Sequence, residues 1–240
     1  MRCALCLQEA PLCKSHIIPE FCFAPFYDKE HRIIEVTDIA KGKVRRRQKG
    51  YWERLLCTDC ENLLNGFERH ARRVFVDPLP AHEAGSSRVR QFRRVDFNPF
   101  KLFLLSILWR ASVTNLSFFE HVSLGPHEEN IRQMILKREA GDAVDYPILI
   151  FALHFRGEPL PDLMFGPTYM RLEGLKCYRF LLTGFIVLFF VSSHLPSEKF
   201  MRMVLSPERP VTVFDGDLEE FRFLREAWNR ASETTRDVQF

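Results

Sequence analysis

The chain has 240 residues, of which 46% are hydrophobic and 27% charged, and its formal net charge is +3. That balance excludes a disordered or collagen-like protein and leaves room for one large core or two modest ones. The longest apolar run, Phe180 to Val191, covers 12 residues and carries Thr183-Gly184 inside it, whereas a membrane-spanning helix needs about 20. No membrane span is therefore expected.

The chain opens on Met1-Arg2-Cys3-Ala4-Leu5-Cys6. It has no apolar signal segment there, so the expected location is cytoplasmic. Ser15-His16-Ile17-Ile18 is a short β-prone piece stopped by Pro19, which cannot donate to a ladder. Residues 31–36 read as a second strand and the basic run after them as a loop. Leu55-Leu56 leads into Cys57-x-x-Cys60. Leu63, Leu64, Phe67, Ala71 and Val74 then recur at three- and four-residue spacing, which predicts a helix from about 58 to 74. Asp77-Pro78-Leu79-Pro80 ends it, and Ala84-Gly85-Ser86-Ser87 reads as a linker. Asn98-Pro99 opens a strongly apolar helix to about Val113, with Asn98 as its N-cap. Residues 126–139 make a second helix, with Glu128 and Glu129 early and Lys137 and Arg138 late, as the helix dipole prefers. Strands follow at 146–155, 176–183 and 185–192, the last two joined as a hairpin at Thr183-Gly184. An edge strand at 211–214 and a closing helix at 217–230 complete the chain. The fold class expected is α+β: a small zinc domain over residues 1–85, then an α+β domain over 86–240 with two or three helices and a small antiparallel sheet.

Six of the seven cysteines fall in the first quarter of the chain. Their odd number, without an export signal, argues against a disulfide framework. Cys3/Cys6 and Cys57/Cys60 are two identical C-x-x-C pairs, and two such knuckles complete a tetrahedral zinc site. Cys13 and Cys22 read as free thiols. Charge is uneven as well: residues 1–94 hold 18 Lys and Arg against 12 Asp and Glu. Lys41, Lys43, Arg45, Arg46, Arg47 and Lys49 lie within nine residues that contain no acid. Arg69, Arg72 and Arg73 form a second cluster, and Arg88, Arg90, Arg93 and Arg94 a third. Each run alone reads equally well as a solvated loop; three runs beside zinc knuckles point to a polyanion, nucleic acid and most naturally DNA.

Between the knuckles stands Lys14-Ser15-His16-Ile17-Ile18-Pro19, and directly after the second stands Glu61. In order and adjacency these pieces resemble the HNH, or ββα-metal, nucleases built on a treble-clef zinc finger, over about residues 1–75. That family's pattern is a C-x-x-C knuckle, Asp-His-Ile-x-Pro, then a second C-x-x-C followed by Asn or His on a helix. The resemblance implies a metal-dependent endonuclease, of a kind expected in phage defence or mobile elements, with one structural Zn2+ on the four cysteines. It also implies His16 as the general base, whose ordinary pKa suits the role, and Glu61 as a ligand to a catalytic Mg2+ or Mn2+. The Asp that usually precedes the base is Ser15 here, a poorer ligand, so another acid must complete the site. Glu20, Asn65 and Glu68 are the candidates, the last two one and two helical turns beyond Glu61.

Alternatives stay open beside these roles. His16 could pack against the finger, and Glu61 could serve the helix dipole alone. A competing reading is a zinc-finger module that binds nucleic acid or protein and has lost catalysis, and Ser15 motivates it. The C-terminal half carries no nucleophile–base pairing or phosphate loop, which leaves regulation, target choice, a protein partner or homodimerisation as its expected roles.

Overall fold

The computed structural model describes residues 1–24, 27, 32–38, 43–48, 50–76, 82–83, 89–155, 158–159 and 166–221. In chain order the first half forms β1 (Lys14–His16), a 3-10 turn (Glu20–Cys22), β2 (Arg32–Asp38), β3 (Lys43–Gln48), β4 (Trp52–Arg54) and α1 (Thr58–Phe75). Then come β5 (His82–Glu83), β6 (Val89–Phe92), α2 (Phe97–Val113), α3 (His127–Lys137), β7 (Ile148–Phe155) and β8 (Glu158–Pro159). The described part of the chain ends with β9 (Thr168–Leu172), β10 (Leu175–Leu182), β11 (Phe185–Phe190), α4 (Glu198–Met201) and β12 (Val211–Asp217). The protein is a mixed α+β structure, and no helix among the described residues is long and apolar enough to cross a membrane.

Helix α2 is apolar on every side, and twelve consecutive residues from Phe100 to Ala111 are buried. A helix hydrophobic all round belongs inside a protein, and α2 packs against both α1 and α3. One continuous core runs from Cys3, Leu5 and Leu64 through Phe103 and Leu108 to Ile150, Val187 and Val213 of the sheet. It crosses the boundary near residue 85, so the cysteine-bearing segment and the sheet share one interior. Phe75 at the end of α1 meets Phe185 of β11 edge-on at 4.9 Å.

The sheet is eight-stranded, in the order β5-β6-β12-β7-β11-β10-β9 with β8 on β7. It is larger than the small antiparallel sheet expected, and it is mixed, because β12 runs parallel to β7. β12 is therefore interior, between β6 and β7, and not an edge strand. Its far partners could not be read from local pattern. Leu149, Leu153, Leu181, Leu188 and Phe190 form a second cluster on the opposite face, so the sheet is buried on both sides, which explains the nearly unbroken apolar β10 and β11. Their connection fits its turn chemistry: Thr183 and Gly184 both have positive φ (48° and 77°), as a two-residue I′ turn requires.

Three other expectations change. The basic run is not a loop but strand β3, antiparallel to β2. Asn98 does not cap α2. Asp96 is the N-cap, and the Asn98 amide instead bridges the end of α3, donating to the Arg138 carbonyl at 2.9 Å and accepting from Ala140 N at 2.7 Å. In place of a helix from 217, β12 runs through Asp217 and a short 3-10 turn (Leu218–Glu220) follows; residues 222–230, like the linker at 84–87, lie outside the described residues.

Long-range polar ties hold the first segment to the later helices. Arg132 of α3 donates to the Leu5 carbonyl inside the first cysteine knuckle. Glu53 of β4 accepts from Thr114 Oγ1 at 2.6 Å and from the Asn115 backbone and amide at 3.0 Å each. Burial raises the Glu53 carboxyl, but these bonds outweigh it and its pKa lies below the ordinary value.

Candidate active site and metal centre

The strand pair β1–β4 sets the register of the whole site. Lys14 pairs with Arg54, Ser15 with Glu53 and His16 with Trp52, which draws the two knuckles together across the long insertion. Ala4 N donates to Leu55 O (3.0 Å) and Cys13 N to Leu56 O (2.7 Å), fixing the first knuckle against the run into the second. Cys57 is the N-cap of α1 and Cys60 lies in its first turn, where the helix dipole favours thiolate charge.

The four thiols of Cys3, Cys6, Cys57 and Cys60 lie within 4.8 Å of one another. Zn–S bonds of about 2.3 Å make a tetrahedron with S···S edges of roughly 3.8 Å, and Cys6 Sγ lies 3.8 Å from Cys57 Sγ. The donor set therefore fits a zinc ion, and the four thiols could hold one. Their own electrostatics favour a cation. Burial acts against the Cys3 thiolate, but backbone N–H groups of Cys6, Cys57 and Leu5 outweigh it and bring its pKa down to about 7. Burial and then the neighbouring thiols push Cys60 far up. A second thiolate is thus costly there without a positive ion.

Beside this centre, His16 Nε2 lies 3.2 Å from Glu20 Oε2, and His16 is 37% exposed at its side chain. The other Glu20 oxygen accepts from the Tyr27 hydroxyl, and Gly50 packs so close that a Cβ there would meet the Phe23 ring at 2.7 Å and Glu20 Oε2 at 3.3 Å. Glu20 is thereby held as a partner of His16. From α1, Glu61 keeps one buried oxygen, Oε1, without a hydrogen-bond partner among the described residues. Glu68 sits two turns further along and feels the charges of both Glu61 and His16. Burial raises its pKa, the Arg110 guanidinium opposes that, and Glu61 adds to the rise.

Arg110 comes from α2 and is 1% exposed. It donates to the His16 carbonyl at 2.6 Å and lies 3.4 Å from Glu68 Oε1. Removing one partner of a buried pair leaves an uncompensated charge, which costs about 3–5 kcal/mol. Arg110→Met is therefore expected to lower stability by about that amount at neutral pH. Glu68 already has a raised pKa, so protonation is favoured in the folded state, and the loss should shrink as pH falls. Urea unfolding of the variant at neutral and at mildly acid pH checks both parts.

The structure thus pairs His16 with Glu20 and sets Glu68 within electrostatic reach of both Glu61 and His16. It does not bring Ser15 to them: that residue is fully buried on the opposite side of β1, and its hydroxyl accepts from Leu56 N at 3.0 Å. Ser15 is accordingly a structural residue and not a metal ligand. Asn65 is on the exposed side of α1, as are Arg69, Arg72 and Arg73, with Arg72 lying 5.5 Å from the Phe21 ring. Lys43, Arg45, Arg46 and Arg47 occupy β3; Lys41 and Lys49 lie outside the described residues. Arg90 is not a free cation. It lies 3.0 Å from Asp215 and 2.7 Å from His154 Nε2, which gives His154 a structural ion-pair network. Sequence reasoning missed Arg110, Tyr27 and the Trp52–Lys14 pair, in which the ammonium lies 4.5 Å from the indole ring. Of these only Arg110 left a signal, as a charge inside an apolar helix.

No protein-family model, no curated protein and no solved structure matches this chain.

Proposed function

We propose that the chain is a divalent-metal-dependent endonuclease of the HNH kind, hydrolysing DNA phosphodiester bonds from a treble-clef zinc finger. The observation that carries this reading is the carboxylate–histidine pair Glu20–His16, 3.2 Å apart; on α1 a buried Glu61 oxygen has no hydrogen-bond partner among the described residues. With Nε2–H given to Glu20, Nδ1 of His16, which has no partner among the described residues, takes a proton from the attacking water. Glu20 then steadies the imidazolium that results, as a third group orients a catalytic base. Tyr27 fixes Glu20 from its far side. Glu61 and Glu68 would hold Mg2+ or Mn2+ as hard oxygen ligands, and the ion supplies charge stabilisation at the scissile phosphate. The zinc centre, with four thiols and no open position, is structural in this reading. One such site makes one cut, so a single chain nicks and a double-strand break needs a second.

The competing reading, a finger that binds and does not cut, is favoured by two observations. Ser15 takes the place of the family's Asp and faces inward, and Glu68 is engaged by Arg110. Incubation with supercoiled plasmid in Mg2+, in Mn2+ and in chelator separates the readings. Open-circular product in the two metals and none in chelator is expected; a plasmid retarded on a gel but intact under every metal would favour the binding module.

A further inference from the structure

The short strands β1 and β4 run antiparallel, with Lys14 opposite Arg54, Ser15 opposite Glu53 and His16 opposite Trp52. Residues directly opposite each other share a face, and side chains alternate between faces along each strand. Burial follows that rule: Ser15 is fully buried, whereas Lys14, Trp52 and Arg54 are exposed. One face of the pair therefore carries Lys14, His16, Trp52 and Arg54 together. Trp52 is 37% exposed and belongs to neither hydrophobic cluster of the described residues. The Lys14 ammonium lies over its ring, 4.5 Å from the centroid, and Arg54 donates to the Leu12 carbonyl at 2.9 Å. Glu20, the acid that meets this face, is already engaged by His16 and Tyr27. A large aromatic ring held at the surface, between a cation and the candidate general base and with no core to pack against, is a stacking platform.

We infer that Trp52 seats an unpaired nucleobase of DNA beside His16. Every nucleobase has a π-face, so such stacking tolerates any sequence. Within a duplex the bases are stacked on one another, so the platform takes only a base that is unpaired or turned out of the helix. The contact now on the ring is the Lys14 ammonium, and base–aromatic stacking is stronger than a cation–π contact at an exposed site. The arriving base displaces the ammonium, which is then free to meet a phosphate of the same strand as a point charge. His16 and Trp52 are cross-strand neighbours, and the Cβ atoms of such pairs lie about 5 Å apart, so the seated nucleotide brings its phosphate to the candidate general base. The inference deepens the proposed function by naming its substrate class, an unpaired strand, and it rests on the nucleic-acid partner of the preceding section but not on cleavage.

The test uses the full chain in chelator, where cleavage plays no part, and fluorescence anisotropy of a labelled single-stranded oligodeoxynucleotide and of a duplex of the same sequence. Trp52→Ala should bind the single strand roughly five- to a hundredfold more weakly and leave duplex affinity unchanged. Trp52→Phe, which keeps a ring, should restore most of the single-strand affinity. The strand should also quench the indole fluorescence of the parent chain, because Trp52 is exposed while Trp109 is buried. That quench should be lost in Trp52→Phe although the strand still binds, a signature that a purely structural role would not produce. Zinc content should match the parent chain in both variants. Unchanged affinity in Trp52→Ala, an equal loss for strand and duplex, or a quench that persists in Trp52→Phe would overturn the inference. If the parent chain binds neither DNA, the nucleic-acid reading fails and the platform fails with it. A chain that shows the Trp52 signature and nicks nothing would remove the nuclease reading and leave the platform standing.

Discussion

Cys60→Ser is expected to purify without zinc and without a cooperative thermal transition. The magnitudes decide this. A structural zinc site contributes roughly 10–16 kcal/mol of apparent binding energy in small zinc domains, while a whole domain is stable by only about 5–15 kcal/mol. The centre also organises its surroundings: Cys57 N donates to Cys3 Sγ at 3.3 Å, and Leu5, Leu56 and Leu64 beside the ligands belong to the same core as the sheet. Losing one thiolate should therefore unsettle more than the finger. Elemental analysis for zinc and a circular dichroism melt check the outcome. A variant that melts like the parent with no metal would remove the structural role of the centre.

His16→Ala is expected to lower the nicking rate about 10²- to 10⁴-fold, the usual contribution of a positioned general base. Zinc content and melting temperature should stay at the parent values, because the side chain is partly exposed and its carboxylate partner among the described residues is Glu20, itself 47% exposed. Exposed pairs of that kind contribute at most about 1 kcal/mol. A fall in rate accompanied by loss of zinc would instead assign His16 to the scaffold.

The features legible in the sequence are those set by neighbours along the chain. The cysteine pairs, the periodicity of α1 and the Thr183-Gly184 turn are written within a few residues of themselves. Features that depend on distant partners were not legible. β12 lies between β6 and β7 because of pairings made across more than sixty positions of chain. β3 is a strand despite its arginines because β2 supplies the ladder, and local propensity yields to cross-strand pairing. Asn98 has the chemistry of a cap but finds Arg138 and Ala140 instead. Within the site, motif order singled out His16 and Glu61, and the structure pairs His16 with Glu20. Ser15 was misjudged because adjacent strand residues face opposite sides, which sends its hydroxyl to Leu56 while His16 meets Glu20. Arg110 reaches the site from a helix 94 positions away, whereas Tyr27 meets Glu20 from only seven positions along the chain.

In the proposed reading one finger would hold two unlike metal centres, a closed one of four thiols and an open one served by His16 and Glu61. The measurement that tests it most directly is nicking of supercoiled plasmid by protein dialysed free of loosely held ions, with zinc assayed on the same sample. Retention of one zinc per chain, no nicking as dialysed, and nicking restored by Mn2+ or Mg2+ in the parent but not in Glu61→Gln is the predicted result. Nicking that proceeds equally well without an added divalent ion, or that is untouched by Glu61→Gln, would contradict it.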